Sequence, residues 1–313
     1  MSDLNTALQE YLTIRRHLGF KLRKEGSLLL KFVRFLQEEG ASSITRDLTL
    51  RWAMQPADAH PSWWAIRLRM VRLFAQYQSA ADPRTEVPPQ GLLPHKYHRK
   101  APHIYSDEEI KQLTEAAKEL PSKNGLRPHT YSTLFGLLAV TGMRMNECIS
   151  LQRKDVDLTQ GILTIVQAKF GKSRLLPLHR STHRVLQQYE CRRNQICPNP
   201  QDPNFFLSDS GSRLTDCTVR YTFIKISRQI GLRGPLDNHG PRVHDYRHAF
   251  AVRTLLNWYR NGVDVEREMP KLATYLGHTH VDDTYWYLSA IPELMYLAMK
   301  RMENLEGGLP YED

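Results

Sequence analysis

Apolar residues recur at intervals of three and four through the first part of the chain, the spacing that places them on one face of a helix. This pattern predicts a first helix that runs to about Leu18 and a second with an apolar face over 28–36 that ends at Gly40. Thr45 is a suitable N-cap for a third helix. Residues 1–100 are therefore expected to form a helical domain.

A fourth helix is predicted after Pro61, from about Trp63 to Tyr77. Its apolar stripe is assigned to Ile66, Met70, Leu73 and Phe74. Three arginines lie largely off that stripe: Arg67, Arg69 and Arg72. A helix with one core face and a row of guanidinium groups can lie against phosphates, although a face that contacts only water is the simpler interpretation.

The helical pattern stops at about residue 81, and the segment 81–103 contains five prolines. Prolines at this density keep a chain extended, so the segment is predicted to be a semi-stiff linker with a domain boundary near residue 100. It also carries a cluster of cations: Lys96, Arg99 and Lys100.

The rest of the chain combines helical patterns with one short β pattern. Ser106 and Glu109 form a capping-box sequence at the start of a helix. Two apolar runs, 162–166 and 174–178, are joined by a turn over 168–172 and predict a β-hairpin. Further helices are predicted over 129–141, 144–151, 181–196, 215–231, 244–260, 264–275 and 292–304. The predicted fold class is mainly α with a small β-sheet (α+β), in two domains over 1–100 and 104–313.

The net charge of the chain and its distribution indicate what kind of molecule the protein binds. The 313 residues carry 43 Lys and Arg against 33 Asp and Glu, a net charge of +10, with a mean hydropathy of −0.50. The excess is concentrated in residues 1–100, which hold 16 Lys and Arg against 9 Asp and Glu. Such a bias favours a polyanionic partner, most simply nucleic acid, although many basic proteins bind none.

The sequence shows no pattern typical of a secreted or membrane protein. It has no uninterrupted apolar run of about 18 residues, and its N-terminus lacks the basic and apolar regions of a signal peptide. The four cysteines follow no disulfide or zinc spacing: Cys148, Cys191, Cys197 and Cys217. A reducing cytoplasm is therefore the expected compartment, and no cofactor is indicated.

Five short motifs in the second domain carry residues suited to phosphate chemistry. In chain order, a Thr-Gly-x-Arg motif ends at Arg144 and the predicted hairpin turn contains Lys169. A His-x-x-Arg motif then supplies His244 and Arg247, a Leu-Gly-His motif ends at His278, and the last motif contains Tyr287. Each also has an ordinary structural explanation. Arg144 could pair with Glu147, and His244 with Arg247 could form a surface pair on one helix face. His278 could cap a helix, and Tyr287 could belong to an aromatic core.

The order and separation of these motifs resemble the tyrosine recombinase (phage integrase) family, strongly over 128–290 and only in architecture over 1–100. The resemblance implies a helical DNA-binding domain and a catalytic domain that close around double-stranded DNA as a C-shaped clamp. It also implies a site-specific recombinase that cleaves and rejoins strands through a covalent 3′-phosphotyrosine without metal or ATP. The implied catalytic residues are Arg144, Lys169, His244, Arg247, His278 and the nucleophile Tyr287, with Glu147 in support. The candidate DNA contacts are Arg67, Arg69, Arg72, Lys96, Arg99 and Lys100.

The chemistry explains these residue types. Two arginines supply fixed bidentate donors for the charge that develops on the non-bridging phosphate oxygens. The resemblance makes His244 the candidate base for the tyrosine proton, the hairpin lysine the donor to the leaving 5′-hydroxyl, and His278 a donor to a phosphate oxygen. Two alternatives stay open: Lys172 if the turn slips, and Tyr285 as nucleophile, because Asp283-Thr284 replaces the family's usual Thr-Thr and Leu288 follows Tyr287.

The last apolar stretch, over 291–305, is amphipathic. In the family such a tail helix often docks on a neighbouring subunit, which implies a dimer or tetramer on DNA, with folding back onto its own core as the alternative. A nucleoid-associated, mobile-element enzyme that acts alone or with other recombinases fits this resemblance. Two other functions stay open: a type IB topoisomerase-like nicking-closing enzyme and a catalytically silent DNA-binding accessory protein.

Overall fold

The computed structural model describes residues 4–94, 101–166, 173–289 and 291–306. The chain divides into two compact units, Met1–Lys100 and Ala101–Asp313. Each unit has hydrophobic core clusters of its own. Within the described ranges, no helix is both long and apolar enough to cross a membrane.

The first unit is built from four helices in its described part: α1 (Leu4–His17), α2 (Arg23–Glu38), α3 (Arg46–Met54) and α4 (Pro61–Gln78). Phe32, Trp52 and Phe74 are buried in its core, where the Phe32 ring meets Trp52 edge-on at 5.1 Å. Thr45 caps α3 as predicted, because its Oγ1 accepts a hydrogen bond from the Leu48 amide at 3.3 Å.

The buried face of α4 differs from the predicted one. Ile66 and Leu73 remain 45% and 41% exposed, whereas Arg67 and Leu68 are buried. The Arg67 guanidinium stacks 3.7 Å from the centre of the Trp52 ring and donates a hydrogen bond to the Trp52 carbonyl. This aromatic face and carbonyl draw Arg67 into the core, so its prediction as a DNA contact is wrong.

The second unit is mainly helical and contains one small sheet. Its elements are α5 (Asp107–Lys118), α6 (Leu126–Thr141), α7 (Met145–Ile149), β1 (Val156–Asp157), β2 (Ile162–Ile165), β3 (Arg174–Pro177), α8 (Arg180–Ile196), α9 (Asp216–Gln229), α10 (Asp245–Arg260), α11 (Val265–Leu276), α12 (Asp282–Tyr285) and α13 (Pro292–Glu306). The sheet is antiparallel in the order β1-β2-β3, and Leu163 pairs with Leu176. The predicted fold class and the two hairpin strands are confirmed, and the two-residue strand β1 is an addition to the prediction.

The central helix α6 begins at Leu126, ahead of its predicted start. Phe135 and Leu138 on this helix are buried in the core. The Asp209 carboxylate accepts amide hydrogen bonds from Lys123 at 2.7 Å and from Leu126 at 3.1 Å, which stabilises the helix start. Because Asp209 lies 83 positions beyond Leu126, the local sequence pattern could not reveal this cap.

The tail helix α13 packs against its own unit through Leu294, which is fully buried. Arg260 pairs with Glu293 at 2.5 Å, and Arg301 donates to the Val263 carbonyl at 2.6 Å. Four large apolar side chains of α13 nevertheless stay between 49% and 61% exposed: Met295, Tyr296, Met299 and Met302. Folding back therefore covers only part of the apolar surface of this helix.

Candidate active site

The end of α11 provides the scaffold of the site. Gly277 follows the helix with a φ of +71°, a left-handed conformation that favours glycine. The His278 amide reaches back to the Ala273 carbonyl at 2.9 Å and closes a Schellman-type cap. The carbonyl oxygens at a helix C-terminus carry partial negative charge, so those of residues 275–277 can attract cations.

Three arginines from distant parts of the chain donate to these consecutive carbonyls. The contacts are Arg174 Nε to Tyr275 O at 2.7 Å, Arg247 Nη2 to Leu276 O at 2.7 Å, and Arg144 Nη2 to Gly277 O at 3.1 Å. Arg174 lies on β3, Arg247 on α10, and Arg144 in the turn before α7. We call these three side chains the arginine cluster.

Two glycines allow the close packing around the arginine cluster. A Cβ added to Gly277 would lie 2.8 Å from Nη1 of Arg174, and one added to Gly142 would lie 2.5 Å from the Phe250 ring. Gly142 also offers its carbonyl to Arg247 at 3.0 Å and has a φ of +60°. The glycines of the Thr-Gly-x-Arg and Leu-Gly-His motifs are therefore steric requirements of the site.

The Glu147 carboxylate joins two members of the arginine cluster. Its Oε1 lies 2.8 Å from Nη1 of Arg144, and its Oε2 lies 2.7 Å from Nη2 of Arg174. Burial alone would raise the pKa of Glu147, but hydrogen bonds from Arg174 and Arg144 hold it below its ordinary value. An ionised Glu147 offsets only part of the charge of three guanidinium groups, so the cluster retains positive charge that suits an anion.

Arg247 is the cation of this site with the least contact with solvent, at 2% exposed. Burial lowers the pKa of Arg247 to about 10, so the guanidinium is still protonated at neutral pH. Its two terminal nitrogens donate to the carbonyls of Gly142 and Leu276, which fix the plane of the group. A buried cation with neutral partners is costly, and a bound phosphate would offset that cost.

Three imidazoles border the arginine cluster in neutral form. Loss of hydration, together with the charge of Arg247, lowers the pKa of His244 and of His278 to about 4. Loss of hydration and the nearby His244 lower the pKa of His248 to about 4 as well. The rings of His244 and His248 meet edge to face, 4.9 Å apart. Of the three, His244 keeps the most contact with solvent, at the start of α10, so a phosphate can reach it.

Tyr287 lies against two of these imidazoles. Its ring is 5.5 Å from that of His248 and 6.1 Å from that of His278, the second pair inclined by only 21°. Thr284 Oγ1 is 2.6 Å from Nδ1 of His278 and ties this histidine to the helix before Tyr287. Tyr287 is 2% exposed, whereas Tyr285 is 41% exposed. Of the two candidate nucleophiles, Tyr287 is the one that contacts these histidines.

The other predicted residues fall outside the described residues or in the first unit. Lys169 and Lys172 fall in 167–172, and Lys96, Arg99 and Lys100 fall in 95–100; both segments lie outside the described residues. Arg69 is exposed on α4, and Arg72 donates to the Pro89 carbonyl at 3.2 Å. The described ranges hold no group of three or more His, Cys, Asp or Glu side chains placed to bind a metal ion.

Sequence reasoning missed Arg174, His248 and Thr284 as parts of this site. Arg174 begins a predicted strand, and nothing in the alternation of that strand distinguishes it from a surface cation. His248 directly follows Arg247 in the chain, and Thr284 belongs to the Asp-Thr pair that departs from the family pattern. For His248 and Thr284 the adjacent motif residues were therefore the available signal, and for Arg174 there was none.

Relatives identified by sequence are named as integrases or recombinases. Residues 104–293 match the phage integrase family. The chain is 50% identical over 308 residues to the Sinorhizobium fredii protein y4rB, named an integrase/recombinase, with 97% of this chain and 98% of that protein covered. It is 30% identical over 284 residues to tyrosine recombinase XerC of Herpetosiphon aurantiacus, with 88% and 87% covered.

Solved structures with a similar fold include proteins bound to DNA. The Tn1549 transposon integrase in complex with transposon right-end DNA has a TM-score of 0.68 at 15% identity, with 97% of this chain and 100% of that chain covered. XerH recombinase bound to its difH substrate has a TM-score of 0.62 at 17% identity, with 93% and 80% covered. A lambda integrase dimer bound to a core site has a TM-score of 0.61 at 16% identity, with 89% and 96% covered.

Proposed function

The chain belongs to the phage integrase family of tyrosine recombinases and is a site-specific DNA recombinase of that type, and we propose that Tyr287 is its nucleophile. The observation that supports this assignment is the contact of Tyr287 with His248 and His278, beside the arginine cluster. Because the relatives are named integrases and recombinases, neither a topoisomerase-like nicking enzyme nor a non-catalytic DNA-binding protein is favoured.

In the proposed reaction, Oη of Tyr287 forms a bond to the scissile phosphorus while the bond from phosphorus to the 5′-oxygen breaks. The phenol proton passes to a base, for which His244 is our candidate. The 5′-oxygen leaves as a hydroxyl after gaining a proton, for which Lys169 is our candidate and Lys172 the alternative. The 3′-phosphotyrosine conserves the bond energy, so another 5′-hydroxyl can attack it and rejoin the strand.

The arginine cluster supplies the charge stabilisation. Arg144 and Arg247 would bind the non-bridging oxygens of the scissile phosphate, and Glu147 supports Arg144. His278 adds a neutral donor: when Thr284 donates to Nδ1, the proton of His278 resides on Nε2 and can be given to a phosphate oxygen. These groups are held by backbone carbonyls and side chains before DNA binds, which is what stabilisation of developing charge requires.

Tyr287 is buried in a cluster that includes Leu276 and Leu294, so its attack on DNA requires the turn over 286–289 to move. Leu294 belongs to α13, and a shift of this tail helix would uncover the tyrosine. Movement of the tail and exposure of the nucleophile are therefore coupled in the proposed reaction.

We infer that copies of the chain assemble as a dimer or tetramer on double-stranded DNA through α13. The exposed side chains of Met295, Met299 and Met302 support this role, and lambda integrase is a dimer on its core site. Changing Met299 and Met302 together to Glu should remove the dimeric complex from a native gel while single copies still bind. Lys300→Glu is the matched control, since Lys300 is an exposed residue of the same helix. An unchanged dimer in the double variant would assign assembly to another surface.

The proposed biological setting is recombination of chromosomal DNA in the cytoplasm, at the nucleoid. The similar fold of the Tn1549 transposon integrase supports a role in a mobile element. In such a setting the chain would act alone or together with other recombinases.

The test is a search for the covalent adduct. Labelled duplexes from both sides of the chain's own gene are incubated in EDTA with the wild type, Tyr287→Phe and Tyr285→Phe, and resolved on a denaturing gel. We expect an adduct from the wild type and from Tyr285→Phe and none from Tyr287→Phe, which should still bind DNA on a native gel. An adduct lost only in Tyr285→Phe would move the nucleophile to Tyr285, and binding with no adduct from any protein would contradict the catalytic proposal.

A further inference from the structure

Arg174 differs from its neighbour Arg144 in what its nitrogens contact. Nε of Arg174 donates to the Tyr275 carbonyl at 2.7 Å, while Nη1 and Nη2 donate to Glu147 at 3.2 and 2.7 Å. Each of its nitrogens therefore has a partner within the chain. The side chain of Arg174 is 10% exposed and that of Arg144 is 23% exposed, so Arg144 is the more accessible of the two to a phosphate.

Glu147 has two opposing effects on Arg144. It fixes the side chain by accepting from Nη1 at 2.8 Å, and it also accepts from the Arg144 amide at 3.0 Å. The same ion pair offsets the charge that Arg144 needs for a phosphate. A second guanidinium on that carboxylate, from Arg174, supplies compensating charge, so Arg144 stays both fixed and cationic toward a ligand.

Arg174 also packs against the second support of Arg144. Its Nη1 is so close to Gly277 that a Cβ there would lie only 2.8 Å away. The Gly277 carbonyl in turn accepts from Nη2 of Arg144 at 3.1 Å. A displacement of Arg174 would therefore disturb both groups that hold Arg144, Glu147 and the Gly277 turn.

We propose that Arg174 is a positioning residue for strand cleavage: it holds Glu147 and the Gly277 turn so that Arg144 meets the scissile phosphate with its charge available. This inference rests on the proposed function of the chain. Arg174 itself makes no contact with DNA in this proposal and acts through Arg144.

The test compares single-turnover cleavage of two duplexes that carry the site found with the adduct assay. One has an ordinary phosphodiester at the scissile position and the other has a methylphosphonate. The methyl group removes the negative charge that a guanidinium stabilises, so an arginine that acts by charge matters for the first duplex and little for the second. The proteins compared are the wild type, Arg174→Gln, Arg174→Lys, Arg144→Gln and the double variant Arg144→Gln with Arg174→Gln.

Arg193→Gln is the matched control. Arg193 is a buried arginine of α8, 3% exposed, whose Nη2 donates to the Asn204 carbonyl at 3.2 Å, apart from the arginine cluster. Its loss should disturb packing without changing the ratio of the two cleavage rates. DNA affinity and thermal unfolding are measured for every protein.

We expect Arg174→Gln to slow cleavage of the phosphodiester by about 10²-fold, the effect of a small misplacement of a catalytic group, and to slow the methylphosphonate little. Arg174→Lys should be intermediate, because it keeps a charge and lacks the fork that spans Glu147 and Tyr275. Because Arg174 acts through Arg144, the double variant should be no slower than Arg144→Gln alone.

Three results would overturn the inference: equal slowing of both duplexes by Arg174→Gln, full additivity in the double variant, or a wild-type rate in Arg174→Gln. If Arg174→Gln does not fold, the cleavage rates of the two duplexes are compared for Arg174→Lys instead. A wild-type protein that forms no adduct in the preceding assay would overturn the proposed function and this inference with it.

Discussion

Buried arginines occur in both units, and their surroundings differ. Arg67 of the first unit is 7% exposed, stacks on Trp52 and donates to its carbonyl. Arg247 of the second unit is 2% exposed and shares the end of α11 with Arg144 and Arg174. Arg67 is a single cation held by an aromatic face and a carbonyl of its own unit, whereas three guanidinium groups share one helix end and retain net positive charge.

The comparison shows that burial of a charge does not by itself identify a functional site. The methylene groups of Arg67 pack in the core and its guanidinium stacks on Trp52, and both contacts stabilise the fold. Arg247 lies where further positive charge accumulates, because Arg144 and Arg174 donate to the same helix end. The arginine cluster therefore carries net positive charge that an anion from outside the chain can offset, whereas Arg67 is a single cation.

Removal of Arg247 should give the largest effect. Arg247→Gln is expected to lower single-turnover cleavage by about 10²- to 10³-fold, as loss of a donor aimed at developing charge does. The wild type should also gain thermal stability from inorganic sulfate, and the variant should gain less, because sulfate neutralises the arginine cluster.

Arg67→Gln is the matched control for that sulfate experiment, since it removes a buried arginine outside the arginine cluster. It should keep the full sulfate-dependent rise in Tm. An equal response of wild type and Arg247→Gln to sulfate would mean that the arginine cluster is not an anion site.

Removal of Arg67 should act on stability and not on chemistry. Arg67→Met is expected to lower the free energy of unfolding by about 1–3 kcal/mol, from the lost cation–π contact and hydrogen bond. Adduct yield per bound DNA should not change. Urea unfolding measures the first quantity, with Arg69→Met on the exposed side of α4 as control, expected within about 0.5 kcal/mol of the wild type. A wild-type stability in Arg67→Met would show that this buried cation adds nothing to the fold.

The sequence could predict structure where the interacting groups are close along the chain. The Ser106–Glu109 capping box and the Thr45 cap each span three positions, and both form as expected. The burial of Arg67 could not be predicted, because helical periodicity considers only the polarity of each position. The Trp52 ring on which Arg67 stacks lies on another helix. The stripe itself was available from the sequence, because Leu68, Val71, Phe74 and Ala75 are apolar and stand at helical spacing.

The order of the motifs allowed contacts between residues far apart in the chain to be predicted. It brought Arg144 and Arg247 into one candidate site, although Arg144 is 133 positions from the Gly277 carbonyl that it contacts. Arg174 belongs to none of these motifs, and its partner Tyr275 is 101 positions away. The third guanidinium therefore became visible only in the folded chain.

The neutral histidines predict a moderate dependence of stability on pH. In the folded chain the pKa values of His244, His248 and His278 are about 4, whereas an unfolded histidine titrates near about 6.5. Between these values the unfolded chain binds more protons, so the free energy of unfolding falls as the pH decreases from about 6.5 toward 4. Above that window these groups have no effect.

Thermal unfolding at about pH 7 and about pH 5 measures this dependence. His278→Gln removes one of the three groups and should show a smaller drop in Tm than the wild type. Sulfate should reduce the drop in the wild type, because an anion raises the histidine pKa values. A variant that loses as much Tm as the wild type would show that His278 is not buried in neutral form.

The smallest expected effect concerns the exposed arginines of α4, where the first unit would meet DNA. Arg69→Gln should weaken binding to all duplexes alike and reduce the slope of log affinity against log salt by about 1, the value for one phosphate contact. Arg72→Gln should reduce this slope less, because Arg72 already donates to the Pro89 carbonyl at 3.2 Å.

Arg51→Gln is the control, since Arg51 is paired with Glu39 at 2.9 Å. Fluorescence anisotropy over a salt series measures each slope. If Arg69→Gln leaves the slope unchanged, the exposed face of α4 contacts only water, and the phosphate contacts of the chain are those of the arginine cluster.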